Sequence, residues 1–212
     1  MITKTTMKRL FMYCCFLLIL GACGDNDPRD DFQDLIDDTI DDGTDDGSDD
    51  DGSDDDGGSN QGRIMAKING VQFESVESSN AVQGLLSLIT IEGNQIYVFA
   101  IAGADLDGFD PKALGFAFGD VEFDDLVAGK VHQGIADNIG SQFALGTYQE
   151  TSNGDINATS EDTENAIVKV TAIDKTNMII SGEFSFTAVD EMTGNTYVVT
   201  DGTFTDIQYQ TQ

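Results

Sequence analysis

The sequence predicts an all-β fold, an antiparallel β-sandwich or barrel of about 8–10 strands. Three observations predict it. Asn69-Gly70 and Gly93-Asn94 each separate two apolar runs, as two-residue hairpin turns do. Ile180, Gly182, Phe184, Phe186 and Ala188 alternate with Ser181, Glu183, Ser185 and Thr187, the period of a strand with one wet face. No stretch from Arg63 onward sustains a helical period, so helical content is expected to be small.

In chain order, Ile64 to Ile68 and Val71 to Ser75 form the first hairpin around Asn69-Gly70, where both turn residues tolerate positive φ. Leu85 to Glu92 and Gln95 to Ala102 form the second and are apolar almost throughout, which predicts burial on both faces. Ala113 to Phe118 and Gln142 to Gln149 are shorter strands. Asp120 to Gly140 has mixed polarity and reads as loop with one strand at most, and Ser152 to Asn165, rich in Ser, Thr, Asn and Glu, as an exposed polar loop. The Asn157-Ala-Thr159 glycosylation pattern within it marks only that exposure. Ala166 to Ile173, Met178 to Val189 and Thr196 to about Ile207 complete the set, with Asp201-Gly202 predicting a bulge in the last strand.

Two segments precede this domain, which spans 63–212. Residues 1–22 carry Lys4, Lys8 and Arg9 ahead of an apolar run from Leu10 to Leu20, the pattern of a signal peptide. The run is too short for a bilayer-spanning helix of about 20 residues. Residues 23–62 begin with Cys23 and continue with seventeen Asp and one basic residue, Arg29, giving a net charge of −16. So little apolar surface cannot offset chain entropy, and a disordered acidic linker is expected, with a coil span of about 35 Å. Phe32, Leu35, Ile36 and Ile40 form the one apolar stripe in it. Repeated Asp-Asp-Gly units fail the EF-hand pattern, because the first ligand position before Gly52 and Gly57 is itself Gly.

Leu20-Gly21-Ala22-Cys23 resembles a bacterial lipobox. The resemblance implies a lipoprotein in which Cys23 becomes the first mature residue and carries a diacylglyceryl thioether and an N-acyl group, palmitate being a typical chain. Several acyl chains are the condition for stable anchoring. Asp25, Asp27, Asp30 and Asp31 are similar to the export signals of some Bacteroidota surface lipoproteins. Ala66 to Phe73, Ile180 to Ala188 and Val199 to Asp206 resemble the ends of a family of uncharacterised Bacteroidota lipoproteins with a C-terminal β-rich domain of unknown function. That resemblance implies an outer-membrane location, lipid-anchored at the cell surface, and supplies no activity or functional residue.

Few residues offer chemistry. Cys14, Cys15 and Cys23 are the only cysteines, so the domain has no disulfide, thiolate nucleophile or Cys-based metal site. His132 is the only histidine; it would have to serve any Ser-His-acid triad, and as a lone loop histidine it is expected at the surface. No G-x-S-x-G elbow, phosphate loop or dinucleotide fingerprint occurs. Asp105, Asp107, Asp110, Glu122, Asp124 and Asp125 cluster in sequence, and a glycosidase needs only two carboxylates at fixed separation. A sugar site usually offers aromatic platforms, and Trp is absent. Asp105, Asp107 and Asp110 alternate around Gly108 as calcium ligands do, without the closing bidentate Glu, so no firm metal site and no cofactor is expected and Ca2+ stays a candidate.

The domain holds 22 acidic against 6 basic residues, a net −16, which argues against nucleic acid and anionic lipid as direct partners. The expected function is therefore a non-enzymatic binding or interaction domain on a membrane anchor, for an unknown extracellular or periplasmic ligand. The alternatives are a carboxylate-dependent extracellular glycan hydrolase using pairs among Asp105, Asp107, Glu122, Asp124 and Asp125, and a structural spacer.

Overall fold

The computed structural model describes residues 62–75, 82–91, 94–106, 110–134, 142–151 and 156–212. All lie in the second of the chain's two units, Gly58–Gln212. The signal peptide, Cys23, the Asp-rich linker up to Gln61 and its apolar stripe lie outside the described residues.

Among the described residues, eleven strands form one sheet that folds over on itself. They are β1 (Arg63–Ile68), β2 (Val71–Glu74), β3 (Val82–Ile91), β4 (Asn94–Asp105), β5 (Lys112–Val121), β6 (Val131–Gln133), β7 (Phe143–Glu150), β8 (Ile156–Thr159), β9 (Ile167–Asp174), β10 (Ile179–Asp190) and β11 (Thr196–Thr211). One 3-10 turn, Phe123–Asp125, is the only helical piece among the described residues. The all-β expectation holds; β6 is the one strand allowed between Asp120 and Gly140, and β8 falls in a stretch read as loop.

Two layers result. β2-β1-β11-β10-β9-β6 forms one and β3-β4-β5-β7-β8 the other. They join at both sides: β11 pairs in parallel with β3 through Tyr209 to Thr211, and β8 pairs with β10 through Ala158 and Thr159. The hydrogen-bonded circuit β11-β3-β4-β5-β7-β8-β10-β11 is closed, so the domain is a barrel flattened into a sandwich.

Bends in β11 make the closure. Against both β1 and β10 the register slips by one residue near Asp201, and against β10 it slips again near Asp206. Both aspartates have positive φ, 53° and 51°, a region Asp tolerates better than most residues. Each bulge adds twist and turns the strand, and the Asp201-Gly202 bulge is where the sequence predicts it. Ser181 Oγ accepts from the Asp206 N–H at 2.9 Å, which keeps the second bulge satisfied.

The core lies between the layers. Phe116 of β5 stacks on Phe184 of β10 with centroids 4.4 Å apart and leans on Phe204 of β11 at 5.1 Å. Phe99 of β4 meets Phe118 at 5.3 Å and the edge of Tyr209 at 4.9 Å. Each such pair contributes about 0.5–1.5 kcal/mol beyond area burial. The predicted inward set Ile180, Gly182, Phe184, Phe186 and Ala188 is buried.

Two burial expectations are corrected. β3 and β4 bury their second face only in part: Ile96 is buried there, Val98, Ala100 and Ala102 are half-buried, and Ile89 is 36% exposed. Leu88, in phase with the core side, is 43% exposed near the end of its strand. Within the stretch read as a polar loop, Ile156–Thr159 is a strand that closes the barrel, with Ala158 fully buried. Ser160 is buried beside it, its Oγ accepting from the Gly146 N–H at 2.8 Å.

Close packing fixes one glycine in particular. A Cβ on Gly182 would lie 2.3 Å from the Lys169 carbonyl oxygen and 2.3 Å from Cζ of Phe204. Gly182→Ala is therefore expected to cost about 1–3 kcal/mol. Equilibrium urea unfolding measures it, and an unchanged midpoint would contradict the packing.

Candidate functional site

The structure separates the carboxylates that cluster in sequence. Asp105 ends β4 opposite Lys112, whereas Ile96, nine residues earlier on the same strand, pairs with Val121. Glu122, Asp124 and Asp125 follow Val121, so they sit at the far end of the β4–β5 ladder, about 30 Å from Asp105 at strand rise. A glycosidase pair needs about 5–10 Å, and Asp105 cannot supply one with any of the three. Asp124 and Asp125 are exposed on the 3-10 turn, and Glu122 precedes it at φ 60°. Asp110 is exposed just ahead of β5, and Asp107 lies outside the described residues. Among the described residues no group of three or more His, Cys, Asp and Glu could hold a metal ion.

His132 is a correction. Rather than standing at the surface, it is completely buried, on the inward side of β6 opposite Val168 of β9. Its Nε2 and the hydroxyl oxygen of Tyr97 are 2.7 Å apart, and the Phe118 ring centroid lies 4.9 Å from its own. A three-residue strand is too short to display a period, so sequence alone could not orient the side chain. Tyr97, hidden in an apolar strand, was likewise not singled out.

Around this pair the chain builds a sealed end of the barrel. Asp120 pairs across from Tyr97 and forms a 2.8 Å ion pair with Lys130. Lys175 donates to the carbonyl oxygens of Phe123 and Asp124 at 2.8 and 3.0 Å, with its ammonium 4.5 Å from the Phe123 ring centroid. That ammonium holds the 3-10 turn down. Leu126, just beyond the turn, is fully buried.

Burial dominates the electrostatics here. It pushes the His132 imidazole down to about 4, against an opposing pull from Asp120, with Lys130 adding to the depression. Burial, with Asp120 and Asp125, pushes the Tyr97 phenol up. Both groups are neutral near pH 7 and sealed from solvent, so the pair serves as a polar clamp in the core. His132 Nδ1 is buried without a hydrogen-bond partner of good geometry, its nearest backbone influence being Val168.

A second feature is a surface. The outward positions of β3, β4, β5 and β7 are Gln83, Leu85, Ser87 and Ile89; Ile96, Val98, Ala100, Ala102 and Ala104; Ala113, Gly115, Ala117, Gly119 and Val121; and Phe143, Leu145, Thr147 and Gln149. None is charged. The four charged residues of these strands, Asp105, Lys112, Asp120 and Glu150, are on the core side at ladder ends. Phe143 lies across Gly119, where a Cβ would come within 2.7 Å of the ring. In a domain of net charge −16, this is a neutral face on which Ile96, Ala117, Gly119 and Phe143 are buried, Gln83 and Ile89 are exposed and the other positions are half-buried.

The family model described as Domain of unknown function (DUF6252) matches residues 130–208, from just before β6 into β11. It includes the Ile180 to Ala188 and Val199 to Asp206 segments and not the Ala66 to Phe73 hairpin. It agrees with the sequence resemblance in pointing to a domain of unknown function. No curated protein matches the chain, and no solved structure does.

The His132 clamp makes stability depend on pH. The unfolded imidazole takes up a proton near pH 6.5, the folded one only near 4, so stability is complete at neutral pH and falls as pH drops through that window. The loss approaches about 3 kcal/mol. Urea unfolding at pH 7 and 4.5 should show a steeper decline for the natural chain than for His132→Gln. Equal declines would remove His132 as the cause. Tyr97→Phe, which strips Nε2 of its partner, should cost about 1–3 kcal/mol at pH 7.

Proposed function

We propose that this chain is a membrane-anchored, non-enzymatic binding domain. In this reading Cys23 carries the acyl anchor at the outer membrane, residues 24–62 act as a spacer, and the domain meets its partner on the neutral face of β3, β4, β5 and β7. The observation that carries the reading is that face. A domain with 22 acidic residues places none of them at the outward positions of four adjacent strands. At the exposed and half-buried positions of this face, from Gln83 and Ile89 to Ala100 and Thr147, solvation alone favours charge and a contact surface favours its exclusion. The partner has a flat, uncharged and largely apolar surface, reached from outside the cell or from the periplasm.

The geometry of the other candidates points the same way. His132 is completely buried and bonded to the buried Tyr97, so no substrate reaches it without local unfolding. The separation of Asp105 from Glu122, Asp124 and Asp125 removes the long-range carboxylate pairs of a glycan hydrolase.

Two measurements test the reading. Cys23→Ser should shift the chain from the membrane fraction to the soluble fraction, and protease added to intact cells should remove the domain of the unaltered chain. Retention of the variant in the membrane would sink the anchor, and protection of the domain would place the partner in the periplasm. For the face, a cysteine at Ala100 should react with a maleimide at least tenfold more slowly in its native setting than in the purified chain. A cysteine at exposed Thr171 should react equally in both. If Ala100→Cys also reacts equally, no partner occupies the face and the spacer reading takes over.

A further inference from the structure

We infer that β3 pairs edge to edge with the β3 of a second copy of this chain, antiparallel and centred on Ile89. This goes beyond the binding reading above, since it concerns the rim of the sheet and not its face.

The open edge follows from register. β11 runs alongside β3 only from Gly84 to Leu86, and the Gln212 N–H donates to the Leu86 carbonyl oxygen at 3.0 Å. Alternate residues of a strand point their backbone groups to the same edge. Leu88 and Thr90 therefore turn N–H and C=O the same way as Leu86, beyond the reach of β11. Among the described residues, positions 87 to 91 pair with β4 alone. Leu88 and Ile89 of β3 also present large apolar side chains that stand exposed.

The other rims of the sheet are defended. β2 has four residues and ends in Glu74, ion-paired with Arg63, and β6 has three residues. Shortness and charge are the usual protections against stray pairing. β3 has neither. Leu86-Ser-Leu-Ile-Thr-Ile91 contains no charge, no Pro and no Gly, the composition of segments that pair with copies of themselves.

A second copy fits the edge through its own symmetry. With a two-fold axis at Ile89, Leu88 of each copy faces Thr90 of the other, and both have their backbone groups on the open side. Each such pair exchanges two hydrogen bonds, giving four in all. Ile89 meets Ile89 on the outward face. Residues 86 to 91 carry no charge, and salt at 0.15 M screens the −16 on each domain beyond about 8 Å.

The test uses the full chain with Ser at Cys14, Cys15 and Cys23, so that Ile89→Cys supplies the sole thiol. Mild oxidation should give a disulfide-linked dimer whose yield rises with protein concentration. Thr90→Pro deletes one edge N–H that the monomer does not use, a position where Pro is tolerated, and it should cut that yield at least tenfold. Thr90→Lys should do the same by adding charge, and unchanged unfolding midpoints show that both variants fold. Sedimentation of the chain without the thiol should show the same loss of dimer in both variants. A monomer at all concentrations, a dimer indifferent to Thr90, equal cross-linking from Thr171→Cys, or capture of a different polypeptide at position 89 would each overturn the inference.

Discussion

The domain depends on one strand. β11 is hydrogen-bonded along most of its length to β10, then to β1 on its other side, and at its end to β3 in the opposite layer. A straight strand could not do this, because β1 and β3 belong to different layers. The two bulges at Asp201 and Asp206 supply the bend. Without that bend the circuit would open into two layers, each with unpaired strands facing the same core.

Closure also explains where polar groups are allowed inside. Ser75 and Ser160 each exchange hydrogen bonds with a backbone segment where strands end: Ser75 with Ile64, and Ser160 with Gly146. Asp190 accepts from the Met192 and Thr193 N–H groups and caps the turn between β10 and β11, and these bonds hold its carboxyl below the usual range. His132 Nε2 and the Tyr97 hydroxyl pair with each other at the sealed end. The interior polar groups thus sit at the seams, where regular pairing stops and side chains replace backbone partners.

How much of this was legible differs by element. The hairpin at Asn69-Gly70, the alternation of β10 and the Asp201 bulge were readable because turn chemistry and period are local properties of a few residues. The position of β6, allowed only as one strand somewhere in Asp120 to Gly140, and the existence of β8 were not, since three or four residues cannot show a period, and both strands are held in place by pairing to β9, β7 and β10. The apolar run of β3 and β4 misled for a related reason. Hydrophobicity on both sides of a strand predicts two buried faces, yet here one side is core and the other, apart from buried Ile96, is half-buried or exposed. The acidic residues from Asp105 to Asp125 were adjacent in sequence and were split by the hairpin of β4 and β5, whose ladder sets them at opposite ends. The burial of His132 could not be seen at all without the pairing to β9.

The pairing of β1 with β11 joins Arg63 to Thr205, nearly the whole domain apart in sequence. Contacts of that span require the chain to give up loop entropy before they return any stability, which makes folding slow and late. On a ribosome or in a translocation channel, β1 through β5 would emerge with no partner for their inward faces until β10 and β11 appear. The nascent chain therefore stays unfolded, and open to proteases and chaperones, until β10 and β11 arrive.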